Sequence, residues 1–202
     1  MKTHLLFILF FGLFQQVCFS QAYKGIFAGL NVTTTQQDLP TTGAHVGWHV
    51  GYAIRGDLQK KVAPQLEFLL MSEGFSTGEE DFHIVLYYVK APLLVNCRSG
   101  DYSSPFRILL GVQPTLYMGG FAKEGERLYS LTYFLNQQSH VEPGLGYDRS
   151  LDGKLRPGLW NVEGVGGFEV IGNRVNFGVR LHVGFLSKNR FRNSGLSFRI
   201  GF

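Results

Sequence analysis

The sequence predicts an all-β protein, an eight-stranded antiparallel up-and-down transmembrane β-barrel, and three observations lead there. Long segments alternate apolar with polar or small side chains, which is the period of a strand and not of a helix. The composition is poor in charge and rich in glycine and aromatics: 17% charged, against roughly 25% in an average soluble domain, with Gly 26, Phe 18 and Tyr 9 in 202 residues. Beyond the first twenty residues no apolar run is long enough for a membrane helix, so a spanning chain has to be a closed barrel. A soluble β-sandwich could share the composition. Its strands run about 5–6 residues, whereas barrel strands run about 10, and the alternating segments here match the longer figure.

Residues 1–20 read as a cleavable signal peptide. Lys2 supplies the positive start, residues 5–14 an unbroken apolar run, and Cys18 and Ser20 the small side chains that a signal peptidase reads, which places cleavage after Ser20. The apolar run is shorter than the roughly 20 residues a bilayer span needs. A lipoprotein cysteine at Cys18 would need small residues before it, and Gln15, Gln16 and Val17 do not fit. Residues 21–202 then form one barrel domain with a single cysteine, Cys97, and so no internal disulfide. Losing Lys2 lowers the net charge from +4 to +3, too mild to indicate nucleic acid.

Segment one, about 25–33, sets Ile26, Ala28, Leu30 and Val32 on one face. Segment two, 43–56, alternates Ala44, Val46, Trp48, Val50, Tyr52 and Ile54 with His45, Gly47, His49, Gly51, Ala53 and Arg55. Segment three, about 61–73, puts Val62, Leu66, Phe68 and Leu70 outward and Lys61, Gln65 and Glu67 inward. Segment four, about 83–97, sets Tyr87, Val89, Ala91, Leu93 and Val95 against Tyr88, Lys90, Pro92, Leu94 and Asn96. Segment five, about 106–119, sets Phe106, Ile108, Leu110, Val112, Leu116 and Met118 against Arg107, Gly111, Gln113, Thr115 and Tyr117. Segment six, about 161–171, is glycine-rich and carries Glu163 and Glu169 on one face. Segment seven alternates Val175, Phe177, Val179, Leu181, Val183 and Phe185 with Arg174, Asn176, Gly178, Arg180, His182 and Gly184. Segment eight, 195–202, alternates Leu196, Phe198, Ile200 and Phe202 with Ser197, Arg199 and Gly201.

The connections alternate too. Residues 56–60, 98–105 and 172–173 are short; 34–42, 74–82, 120–160 and 187–194 are longer. Short periplasmic turns and longer outer loops are the rule for such barrels, which puts both termini in the periplasm. Gly172-Asn173 fits a two-residue hairpin. The extracellular loop at about 120–160 holds an apolar stretch, 128–135. That stretch extends a hairpin above the membrane, folds as a cap, or adds two strands to make ten.

Gly29-Leu30-Asn31, Tyr88-Val89-Lys90-Ala91-Pro92-Leu93-Leu94 and Val165-Gly166-Gly167-Phe168-Glu169 stand in the order seen in the PorT-like outer-membrane β-barrel proteins of Bacteroidetes, and the chain resembles that family over essentially residues 21–202. The signal end Phe19-Ser20-Gln21 is similar as well. The resemblance implies an eight-stranded barrel of the bacterial outer membrane. The family usually has an acidic residue where this chain has Lys90, so no role is inherited at that position. The founding member's link to protein secretion and gliding does not carry over on these motifs.

Inward parity collects Arg55, Lys61, Glu67, Lys90, Arg107, Glu163, Glu169, Arg174, Arg180 and Arg199. An eight-stranded barrel is just wide enough for side chains to fill, and a buried charge without a partner is costly. These residues therefore form a charge network that plugs the lumen; the alternative is a narrow anion-preferring path. His45 and His49 lie about 13 Å apart along one strand, too far to share a metal whose ligands sit near 2 Å. His182, in a simple meander, is no neighbour of theirs. No metal or cofactor is expected. His182 has no nearby serine and His140 beside Ser139 has no acidic partner, so no enzyme is expected. Gly164–Gly167 precedes no helix and offers no phosphate site. Trp48, Tyr52, Tyr87, Tyr117 and Trp160 are candidate interface aromatics, Tyr117 against its inward parity.

The expected function is therefore non-enzymatic: a structural or surface barrel, or an accessory of an envelope or secretion complex, with a narrow porin-like pore as the alternative. Expected partners are outer-membrane lipid, the outer-membrane assembly machinery and other envelope or secretion proteins, with no nucleic acid. Phe202, a terminal aromatic after alternating apolar residues, resembles the signal read by that machinery, which would pair with the exposed last strand.

Overall fold

The computed structural model describes residues 23–36, 42–77, 82–101, 103–124, 127–131, 160–172, 174–185 and 192–202. They form strands β1 (Tyr23–Gln36), β2 (Thr42–Arg55), β3 (Val62–Thr77), β4 (Phe82–Lys90), β5 (Leu93–Arg98), β6 (Phe106–Glu124), β7 (Arg127–Leu131), β8 (Trp160–Ile171), β9 (Asn176–Gly184) and β10 (Arg192–Gly201). Each pairs antiparallel with its neighbours, and β10 returns to β1 while β2 pairs β3, so the sheet closes.

Ten strands make eight staves. β4 and β5 are one stave interrupted at Ala91-Pro92, because proline has no N–H to give the ladder. The Glu67 amide still donates to the Pro92 carbonyl (3.0 Å) and the Ala91 amide to the Pro114 carbonyl (2.9 Å). β7 pairs Gly120–Glu124 of β6 while β8 pairs Phe106–Leu116, so these two share one edge of β6 at different heights. The stretch at 120–160 thus begins by extending a hairpin, and residues 132–159 lie outside the described set.

The register aligns the outward face into a continuous band. Trp48 faces Leu30, Leu30 faces Phe198, Phe198 faces Val179, Val179 faces Phe168 and Phe168 faces Ile108. Large exposed apolar side chains from every stave join it, including Ile26, Val50, Phe68, Leu70, Leu93, Leu110 and Phe177. An apolar surface of that extent is an interaction face, not a solvated one. Inward, buried residues are mostly polar or charged, with apolar clusters at Phe27, Ala53, Leu69 and Met71 and at Leu94, Leu109 and Val165. One extra residue in β2 between Ala44 and His49, and one in β6 beside Tyr87 and Tyr88, make bulges. Gly119 sits at the second with φ +150°, which an L side chain rarely adopts.

Three expectations shift. The connections at 34–42 and 74–82 begin and end as strand, since β1 runs on to Gln36, β2 starts at Thr42, β3 runs on to Thr77 and β4 starts at Phe82. The hairpin after β8 is closed by the Gly172 amide on the Val175 carbonyl (3.1 Å), one residue beyond the Gly172-Asn173 placement. Tyr117 points inward, buried edge-on against Tyr88 with ring centres 5.7 Å apart, so it is no interface aromatic. Trp48, Tyr52 and Trp160 are exposed on the outer face. The signal segment and the Ser139-His140 pair lie outside the described residues. Both ends of the described chain meet at the same end of the barrel, where the Phe202 amide donates to the Ile26 carbonyl (2.9 Å).

Candidate functional site

The lumen is where the fold concentrates chemistry. Eight of the ten inward charges inferred from parity are buried there: Arg55, Glu67, Lys90, Arg107, Glu163, Glu169, Arg180 and Arg199. Lys61 and Arg174 are not. Lys61 lies one residue and Arg174 two residues before the first residue of its strand, where the ladder no longer dictates side-chain direction, and each is exposed in a turn.

Two layers of ion pairs cross the barrel. In the first, Glu67 of β3 takes two hydrogen bonds from Arg180 of β9 (2.6 and 2.9 Å), two from Arg199 of β10 (2.8 and 3.0 Å) and one from Gln65 (2.5 Å). Arg199 also lies 3.5 Å from Glu169 of β8, which accepts from Arg55 of β2 at 2.6 Å. Five staves are thus tied through charge-assisted bonds, the stronger class of hydrogen bond. In the second layer Lys90 of β4, fully buried, bonds both oxygens of Glu163 (3.0 and 2.9 Å) and an oxygen of Glu73. Gln113 donates to Glu163 (2.7 Å), and His182 Nε2 lies 3.2 Å from Glu73.

Glycine makes room for the imidazoles. A Cβ at Gly29 would stand 2.7 Å from the His49 ring, and one at Gly195 2.7 Å from that of His182. These two histidines line one cavity in the lumen. β9 is no neighbour of β2 in the sheet, as expected, but closure into a narrow cylinder brings side chains of such non-adjacent staves to one cavity. Glu73, Glu163 and His182 place one ligand atom each within 4.8 Å of one another, the oxygen-and-nitrogen set a divalent cation takes. The Lys90 ammonium stands between the two carboxylates and supplies the positive charge itself. The histidine pair considered from sequence, His45 and His49, is not part of that set.

Sequence reasoning did not single out Glu73, Gln65, Gln113 or Arg98. Glu73 shares the parity of Glu67 and closes segment three, so parity alone could have found it. Arg98 and Arg107 sit opposite each other on β5 and β6, and both donate to the Leu58 carbonyl in the turn at the barrel's end. That turn closes over the lumen on the side of the chain termini.

No family model matches the chain, and no curated protein matches it in sequence. Its structure is similar to that of Neisserial surface protein A at 10% identity, over 90% of this chain and 98% of that chain, with a TM-score of 0.55. It also matches Ail, the attachment invasion locus protein of Yersinia pestis, at 10% identity over 88% of this chain and 95% of that one, with a TM-score of 0.48. The closed cylinder, the outward apolar band and the first of these likenesses agree: the chain has the fold of the small eight-stranded outer-membrane β-barrels.

Proposed function

We propose that the protein is a non-enzymatic barrel of the bacterial outer membrane that presents its outer loops at the surface or serves an envelope or secretion complex. The observation that carries this reading is the pairing of two faces. The outer wall is an apolar band exposed on every stave, and the lumen is filled by cross-linked charges. Such a wall has to contact lipid, and a lumen tied across five staves leaves no room for a wide pore. The termini and the turns at 56–61, 99–105 and 172–175 then face the periplasm, with lipid, the assembly machinery and envelope proteins as partners. The motifs around Gly29, Lys90 and Gly166 are what supports reading it as a relative of the PorT-like barrels of Bacteroidetes.

A narrow anion-preferring pore is the second reading, favoured by six buried basic side chains against four buried carboxylates among the described residues. Single-channel recording of the refolded protein in planar bilayers separates the two. The plugged barrel gives no discrete steps; regular anion-selective steps would replace it with the pore.

A further inference from the structure

We infer that the lumen holds a binding site for one small monovalent anion, of the halide class, between Arg180, Arg199 and His49. The inference rests on the filled interior and not on the protein's location or partners. Three observations meet there.

The first is space. A cavity of about 20 Å³, measured as the room open to the centre of a water-sized sphere, is lined by these three residues with Glu67, His182 and Ser197 among others. About 10–15 Å³ on that measure admits one water, so the space suits a single species slightly larger.

The second is hydrogen bonding. Arg180 spends both Nη groups on Glu67, and Arg199 spends Nη1 there. The Nε of Arg180, the Nε of Arg199 and Nδ1 of His49 are buried and have no hydrogen-bond partner among the described residues. A guanidinium nitrogen can only donate, so what the lining lacks is an acceptor. Buried donors of this kind call for one.

The third is charge. The connected layer holds three arginines, Arg55, Arg180 and Arg199, against two carboxylates, Glu67 and Glu169. The neighbouring layer, with Lys90 between Glu73 and Glu163, has the opposite imbalance, but Arg98 and Arg107 leave six buried basic side chains to four carboxylates among the described residues. A neutral water would accept hydrogen bonds and leave the arginine excess in place. A monovalent anion accepts the hydrogen bonds and also offsets the excess, in a low-dielectric interior where one charge matters most. Glu67 also lines the cavity, but its oxygens are turned onto Arg180 and Arg199, and the attraction of these two lining guanidiniums outweighs its repulsion.

The test uses the full barrel refolded in a nonionic detergent, with chloride and bromide as probes and gluconate, too large for the cavity, at equal ionic strength. Chloride or bromide should raise the melting temperature by about 2–4 °C over gluconate once in severalfold excess of its dissociation constant. Crystals grown in bromide should show one anomalous peak within hydrogen-bond reach of Arg180 and Arg199. Ser197→Val, which narrows the cavity and keeps every charge, should abolish the halide-dependent shift. Equal melting temperatures in all three salts, or density in the cavity without anomalous signal, would make this a water site and overturn the proposal. So would a bromide peak confined to Arg98 and Arg107, or a halide shift that survives Ser197→Val.

Discussion

Replacing Glu67 by glutamine keeps the shape of the side chain and removes one buried negative charge. Glu67 is fully buried and accepts five hydrogen bonds: two from Arg180, two from Arg199 and one from Gln65. Glutamine keeps one acceptor oxygen and turns the other position into a donor facing donors. Arg180 then keeps one of its two Nη bonds at most, and Arg199 one of its two beside its longer contact to Glu169, and neither cation faces a carboxylate at position 67 any longer. Hydrogen bonds to charged groups contribute about 1.5–3 kcal/mol each, but they are not additive, and Gln65 can turn to compensate. The closer guide is the loss on breaking a buried pair, about 3–5 kcal/mol, most of it the cost of the cation left behind. Reversible urea unfolding of wild type and Glu67→Gln in the same lipid vesicles, followed by the fluorescence of Trp48 and Trp160, measures the difference. A change below about 1 kcal/mol, with altered conductance instead, would refute the plug and favour the pore.

The other expectations are more local. Val50→Arg, on the outer band at 46% exposure, should destabilise the barrel by about 2–4 kcal/mol in vesicles if it lies near the midplane; a neutral effect would remove Val50 from lipid. Lys90→Met removes the cation between Glu73 and Glu163 in the second layer, so it should lower the unfolding midpoint sharply, and adding Glu73→Gln and Glu163→Gln should recover part of the loss in the same titration. Deleting Phe202, which is 62% exposed, should leave refolding into detergent nearly normal but cause periplasmic accumulation in cells, read by fractionation; equal impairment of both would make the residue structural, and impairment of neither would place the assembly signal elsewhere.

The membrane-level part of the fold was legible because two environments act on alternate residues. Val46, Trp48, Val50 and Tyr52 have to differ from Gly47, His49 and Gly51 when one face meets an apolar medium and the other a crowded lumen. Where that contrast ends, the pattern ends. From Met71 to Phe75 every residue of β3 is buried on either parity, so the upward extension of the hairpins left no alternating signal. The stave count survived because β7 lies along the edge of β6 that β8 uses lower down. Which charges are inward followed from parity, and failed at Lys61 and Arg174 because parity has no force past a strand end. Which carboxylate meets which cation did not follow, since Lys90 and Glu163 are brought together by stagger across the lumen. The cluster of Glu73, Glu163 and His182 was hidden for the same reason.

The most direct test of a lipid-facing closed barrel compares residues 21–202 in two solvents, by circular dichroism and sedimentation. In lipid vesicles the chain should give a strand spectrum and resist protease outside its loops. In buffer without amphiphile it should aggregate, because the band running through Leu30, Phe198, Val179 and Phe168 has nothing to cover it. A monodisperse monomer with the same strand spectrum in plain buffer would contradict the account.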